Sequence, residues 1–220
     1  MPHDLQVFED TTALAQAAAS FIADRARSVQ ARGATFTMAL SGGKTPWATF
    51  DRLAKEPLDW DATLVYQVDE RVVREDNDLR NLKNLRAALS STGAPIVAMD
   101  VDSDDLEEAC RRYAAQLPEF IDLIQLGIGP DGHCASLIPG DPVLAVIDRL
   151  VALAGPYQDT MRMTLTYPAI ARGNQLLWLV SGEDKRDALA KLLSNDPSIP
   201  AGRVGPVSSL VLADRAAMGS

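Results

Sequence analysis

The chain contains two histidines, His3 and His133. Chemistry that needs a proton acceptor near neutral pH falls naturally to an imidazole. His133 closes the run Gly127-Ile128-Gly129-Pro130-Asp131-Gly132-His133, directly after the apolar stretch FIDLIQL. A glycine-rich bend past a buried strand puts the next polar side chain at a sheet rim, where α/β proteins keep their ligands. Asp131 stands two residues earlier, in position to orient the ring or to touch a substrate. His3 lies near the chain start, where fraying is expected. The plain alternative for His133 is a loop histidine satisfied by a backbone carbonyl.

Three further clusters follow apolar stretches. Ser41-Gly42-Gly43-Lys44-Thr45-Pro46 comes after ATFTMAL. Its glycines let the backbone approach a ligand, and the helix starting there offers free N–H groups to a phosphate. Ser41, Gly42 and Gly43 are therefore candidate phosphate binders, against the alternative of a tight strand–helix turn. The run lacks the spacer of a Walker loop. Asp69-Glu70-Arg71 follows TLVYQV. Arg71 is a candidate to hold a phosphate or a carbonyl oxygen, against the alternative of a solvated loop. Ser181-Gly182-Glu183-Asp184-Lys185 ends a strand and begins a helix. Lys185 is placed to reach back to an anion, and Arg162, at the start of RMTLT, has the same standing.

Several sharper readings fail. GIGPDG matches a dinucleotide fingerprint literally, but that motif needs a long helix after its third glycine. Here only residues 133–138 precede Pro139-Gly140. Cys134 adjoins His133, yet neighbouring residues point different ways, so a small buried thiol is the better reading. Two distant histidines and the isolated Cys110 and Cys134 offer no metal-ligand spacing.

These clusters need a frame. Residues 11–32 read as an amphipathic helix ended by Gly33, and 34–40 as a buried strand. Helical patterns follow at 47–55, 79–90, 103–117 and 183–193. Strands are expected at 63–68, 96–99, 120–127, 162–166, 176–180 and 209–213. Strands alternating with helices predict an α/β fold: a Rossmann-like, mostly parallel sheet with helices on both faces. The expectation is one domain over residues 1–220, with a possible small subdomain at 140–161, the least readable stretch.

With 30 acidic and 21 basic residues the net charge is −9, which repels nucleic acid on average. A small phosphate site remains compatible, since it needs only a few local donors. No apolar stretch reaches bilayer length, and the first ten residues lack a secretory pattern. No membrane partner and a cytoplasmic location are the expectations. The oligomeric state is left open.

Taken together, the clusters resemble the 6-phosphogluconolactonases, which share a wider fold group with the glucosamine-6-phosphate deaminases. The resemblance spans residues 39–191 and rests on LSGGKTP, Asp69-Glu70-Arg71, Asn81, GIGPDGHCASLIPG, RMTLTYPAI and SGEDK. Deaminases typically carry an aromatic residue after Asp-Glu and a Glu in the segment after Gly-His; this chain has Arg71, and Ser136-Leu137-Ile138 before Pro139. Two departures from the lactonase pattern are Cys134, where Thr is common, and Arg80, where Ser commonly precedes Asn81. The resemblance implies cofactor-free hydrolysis of a phosphorylated sugar lactone in the oxidative pentose phosphate pathway. His133 would activate water, Arg71 would hold the oxyanion, and Ser41, Gly42, Gly43, Lys185 and Arg162 would hold the phosphate. Two alternatives stay open: an amino-sugar-phosphate isomerase or deaminase using Asp69 as base, and a non-catalytic sugar-phosphate sensor.

Overall fold

Seven parallel strands form the central sheet of the computed structural model, which describes residues 3–205 and 207–219. In chain order the strands are β1 (Asp4–Phe8), β2 (Phe36–Leu40), β3 (Thr63–Gln67), β5 (Ile96–Val97), β6 (Leu123–Gly127), β9 (Leu176–Val180) and β10 (Ser209–Asp214). Their spatial order is β1-β10-β9-β6-β2-β3-β5. A second, antiparallel sheet joins β4 (Asp69–Arg71), β8 (Thr160–Leu165) and β7 (Val151–Tyr157) in the order β4-β8-β7. The predicted fold class is thus observed.

The sheet buries both faces, which explains its near-continuous apolar strands. Along β9, Leu177 and Leu179 join one core cluster while Leu176, Trp178 and Val180 join the other. The first face is covered by α1 (Thr11–Gln30), α2 (Lys44–Leu53) and α3 (Asn81–Ala88). The second is covered by α4 (Leu106–Gln116), α6 (Arg186–Leu193) and the small sheet, with the short α5 (Tyr167–Ile170) and α7 (Arg215–Met218). Helix α1 shows why the sequence takes this form. Asp10 caps its N-terminus by accepting from the Ala13 N–H at 2.8 Å. Leu14, Ala15, Ala18, Ala19, Ile22, Ala23, Ala26 and Val29 then make one buried stripe at helical spacing.

Three features go beyond the sequence reading. β1 carries a short polar–apolar alternation, Asp4-Leu5-Gln6-Val7, that the sequence reading passed over; its side chains stay largely exposed, and pairing with β10 holds it as an edge strand. That pairing also holds His3, whose Nδ1 lies 2.7 Å from Ser209 Oγ, so the residue does not fray. Burial lowers the pKa of its imidazole. Stretch 140–161 contains a 3-10 turn (Pro142–Ala145) and β7. β7 belongs to the small sheet, and its Val151, Ala152 and Ala154 join the same core cluster as residues of β6 and β9. Finally, Asp69-Glu70-Arg71 is not a solvated loop: it is strand β4, paired with Thr164, Met163 and Arg162 of β8.

The β7–β8 hairpin turns through Gln158 and Asp159, at φ of 49° and 61°. Such two-residue turns favour Asn-Gly, because positive φ costs a side-chain-bearing residue energy. Asp159→Gly is expected to raise stability by about 0.5–1 kcal/mol, read as a higher Tm. An unchanged or lower Tm would show that the Asp159 side chain stabilises the turn by some other contact.

In the strand order, β2 and β6 are neighbours, yet the chain leaves them in opposite directions across the sheet. Such a reversal opens a crevice at the strands' carboxyl ends. The chain leaves β2 into Ser41-Gly42-Gly43 and leaves β6 into the loop that carries His133. Among the described residues, no helix is long and apolar enough to cross a membrane.

Candidate active site

The crevice holds two adjoining compartments. The smaller, about 130 Å³, includes Ser41, Asp69, Arg71, Asn81 and Arg162 in its lining. The larger, about 500 Å³, includes Gly43, Lys44, Ser181, Asp184 and Lys185. Gly42, Gly127, Ile128, His133, Tyr157 and Gln158 line both. His133 therefore stands at the divide.

The loop after β6 is built around its imidazole. The ring lies over the backbone of Gly129, where any Cβ would overlap Nδ1 and Cε1. The Gly129 N–H donates to the His133 carbonyl at 2.8 Å and closes the bend. His133 Nδ1 sits 2.6 Å from Asp131 Oδ1, and the His133 backbone N–H reaches the same oxygen at 3.2 Å. A carboxylate only accepts, so a neutral ring places its proton on Nδ1 and leaves Nε2 as the basic nitrogen. Burial pushes the Asp131 carboxyl upward, but the neighbouring imidazole and the hydrogen bonds from His133 and Tyr157 outweigh it and hold the pKa below its ordinary value. Asp131 thus stays ionised, as an orienting partner must.

Arg71 and Arg162 are direct cross-strand partners on β4 and β8. Like charges placed opposite one another destabilise a strand pair unless an anion or a carboxylate offsets them. Arg71 spends one guanidinium nitrogen on the Leu79 carbonyl at 2.7 Å, and Arg162 spends one on the Tyr157 carbonyl at 3.1 Å. The Nε of each is buried without a hydrogen-bond partner. Burial, then the Arg71 charge, lowers the pKa of the Arg162 guanidinium. The pair is thus a cationic wall in which each guanidinium keeps an Nε without a hydrogen-bond partner.

On the other side, Gly43 precedes α2 at φ 137°, a conformation that favours glycine. Lys44 and Thr45, the first residues of α2, line the larger compartment, and the first N–H groups of a helix have no partner within it. Ser41 is fixed from below: its N–H donates to Oε1 of Gln125, buried in the middle of β6. Thr45 and Ser181 link their hydroxyls at 2.5 Å, tying this turn to the loop after β9. Lys185 lines the larger compartment and pairs with Asp184 at 2.8 Å.

The structure brings every predicted site residue except Asp131 to the lining of this crevice, in two groups; Asp131 lines neither compartment and reaches the site through its contacts with His133 and Tyr157. Arg71, Arg162 and Ser41 line the smaller compartment, and Gly43 and Lys185 the larger. Residues to which the sequence reading gave no role in a lactonase site support them. Glu70 is fully buried and accepts from the Asn81 and Leu82 N–H groups, both at 2.7 Å, so it caps α3. Asn81 donates to the Asp69 carbonyl at 3.0 Å, and Ser136 Oγ donates to Asp69 Oδ2 at 2.7 Å. Arg80 lines neither compartment. It is buried, bonds the Val73 carbonyl at 2.5 Å and takes Asp102 as a two-point partner. It pins the 72–80 loop from behind. Cys134 is fully buried and its thiol is pushed far up by desolvation, so it is no nucleophile. Among the described residues, no group of three or more potential ligands gathers to hold a metal.

Comparison with known proteins adds a name to this geometry. A 6-phosphogluconolactonase from Mycobacterium bovis is 35% identical to the chain, with 98% of this chain and 97% of that one covered. The crystal structure of a 6-phosphogluconolactonase from Shewanella baltica superposes with a TM-score of 0.86 at 26% identity, covering 96% and 97%. A monomeric glucosamine-6-phosphate deaminase also superposes at 0.86, with 22% identity and 98% and 99% covered, so the fold by itself does not separate the two activities. The sequence model that matches residues 9–212 describes glucosamine-6-phosphate isomerases and 6-phosphogluconolactonase together. With that match over most of its length, the chain belongs to the glucosamine-6-phosphate isomerase/6-phosphogluconolactonase family.

Proposed function

We propose that the chain hydrolyses 6-phosphogluconolactone to 6-phosphogluconate, with His133 as general base. The observation that carries this reading is the His133–Asp131 pair, set between an arginine wall and a helix N-terminus with its lysine. A phosphorylated sugar lactone has an anion at one end and a polarised carbonyl at the other. The crevice offers a partner for each.

The phosphate rests on the Gly42–Gly43 turn and the α2 N-terminus, beside Ser41. Lys185 approaches from the larger compartment and Arg162 from the smaller, since Gly42 borders both. This remote anchor fixes the carbonyl carbon near Nε2 of His133. Nε2 removes a proton from water as the oxygen attacks the carbonyl carbon. Arg71, with a free donor, stabilises the oxyanion. The tetrahedral intermediate then collapses: the bond from carbon to ring oxygen breaks, and the imidazolium returns its proton to that oxygen. Asp131 stabilises the transient imidazolium. Curated relatives named as lactonases support this choice of substrate.

A deaminase-type reaction would need Asp69 as a free base. Here both its oxygens already accept, one from Ser136 at 2.7 Å and the other from Asn81 at 3.3 Å. That occupancy favours the lactonase.

The deciding assay generates lactone by enzymatic oxidation of glucose 6-phosphate and follows its disappearance with and without the protein. Acceleration over spontaneous opening supports the proposal. Ammonia release from glucosamine 6-phosphate would select the deaminase, and tight binding without turnover a sensor. Lys185→Ala is expected to raise KM about tenfold or more at nearly constant kcat, because the lysine holds ground and transition states alike. A fall in kcat at constant KM would instead place Lys185 in the chemistry.

A further inference from the structure

The side chain of Tyr157 touches His133, Asp131 and Arg162, yet pattern reading gave it no role. It ends β7, at the hairpin tip whose Gln158 and Asp159 both take positive φ. Strain of this kind persists where surrounding contacts over-determine the backbone, and it gathers at functional sites. The turn delivers the Tyr157 ring to the divide between the two compartments. Its hydroxyl donates to Asp131 Oδ2 at 3.1 Å and lies 3.5 Å from His133 Nδ1. Its ring meets the imidazole edge-on, with centroids 5.2 Å apart and planes at 64°. On the other side the Arg162 guanidinium lies 5.6 Å from the ring centroid. The same guanidinium donates to the Tyr157 carbonyl at 3.1 Å.

We propose that Tyr157 is a positioning residue that joins the His133–Asp131 pair to Arg162, its hydroxyl fixing the carboxylate and its ring fixing the guanidinium. This assignment rests on the lactonase reading for its kinetic consequences, though not for its geometry. The two functions are separable by atom. Asp131 Oδ1 faces the imidazole and Oδ2 faces the tyrosine, so the hydroxyl draws negative charge away from the oxygen that serves His133. Burial and the Asp131 charge raise the pKa of the phenol, which keeps it protonated and able to donate. The ring acts differently. It holds Arg162 beside Arg71 despite their repulsion, with a cation–π contact beneath the guanidinium.

Removing the hydroxyl returns charge to Oδ1 and favours the protonated imidazole. The other charged groups facing this space are unaltered by that change. They are Arg162 on β8, Asp69 and Arg71 on β4, and Lys44, Asp184 and Lys185 across the larger compartment. In Tyr157→Phe, kcat is therefore expected to fall about 3–10-fold near neutral pH with KM unchanged, and the acid limb of the pH–rate profile to move to higher pH. In Tyr157→Leu the ring is lost as well, and KM is expected to rise about tenfold in addition.

The test pairs these kinetics with NMR of the histidine rings, which needs no substrate. Two histidines make assignment simple, because the signals missing from His133→Ala are those of His133. The proposal requires the His133 signals of Tyr157→Phe to titrate at higher pH than those of the wild type, in a variant whose Tm shows it folded. Identical titrations in the two proteins overturn it, whatever the activity. Equal losses in kcat and KM in both variants, with an unmoved pH profile, also overturn it, since a merely structural residue would behave so. If the wild-type protein does not open the lactone, the functional reading fails, while the NMR comparison still decides the role of Tyr157.

Discussion

Replacing His133 with alanine is expected to lower kcat for lactone opening by about 10²–10⁴-fold, the usual share of a general base. KM should stay within a few-fold, because the proposed phosphate contacts lie on Ser41, Gly42, Gly43, Lys185 and Arg162 rather than on His133. The reasoning is geometric. His3 is held at the far end of β10 beside Ser209, so no second imidazole can stand in. Asp69 is occupied by Ser136 and Asn81, and Cys134 is buried and protonated. Steady-state kinetics corrected for spontaneous hydrolysis would check this, with circular dichroism to confirm folding. A rate within a few-fold of wild type would remove His133 from the chemistry.

Asp131→Asn is expected to cost about 10²-fold or more in kcat, again with little change in KM. The substitution keeps size and shape, so the bend through Gly129 and Gly132 should survive. It removes the negative charge that stabilises the imidazolium. It also allows an amide N–H to face Nδ1, which would move the ring proton to Nε2 and silence the base. Nitrogen NMR of the ring should show Nδ1 protonated in the wild type and a mixture in the variant. An unchanged tautomer with an unchanged rate would mean that Asp131 only shapes the loop.

Much of this was written locally in the chain. His133 was legible because an apolar strand, a glycine bend and a lone imidazole occur in one continuous run. β9 was read to its ends, because LLWLV is bounded by clear turn residues. The Ser41–Gly43 turn and Lys185 were likewise placed at the ends of strands that carry strong signals. What stayed hidden depends on contacts distant in sequence. β4 is polar and three residues long, so only its pairing with β8, some ninety residues later, reveals it as a strand. β7 runs into a turn of Gln and Asp where hairpins usually show Asn or Gly, and no local rule flags it. Tyr157 inherits that silence.

Arg80 shows a different limit. In sequence it is a departure from the family pattern, directly before Asn81. In the fold it turns away and binds Asp102 and the Val73 carbonyl behind the loop. Its neighbour Glu70 reads as one more surface charge, yet it caps α3 from a fully buried position. Charged residues of this kind are interpretable only once their partners are known.

The central claim is that a neutral imidazole on the β6 loop takes the proton from water. The most direct test is the pH dependence of kcat/KM for the lactone in the wild type and in His133→Ala, both corrected for spontaneous hydrolysis. Asp131 is held below the ordinary carboxylate value, so its own protonation does not enter near neutral pH. The account predicts an acidic limb in the wild type that is absent from His133→Ala. A limb shared by both proteins, or none in the wild type, would contradict the account.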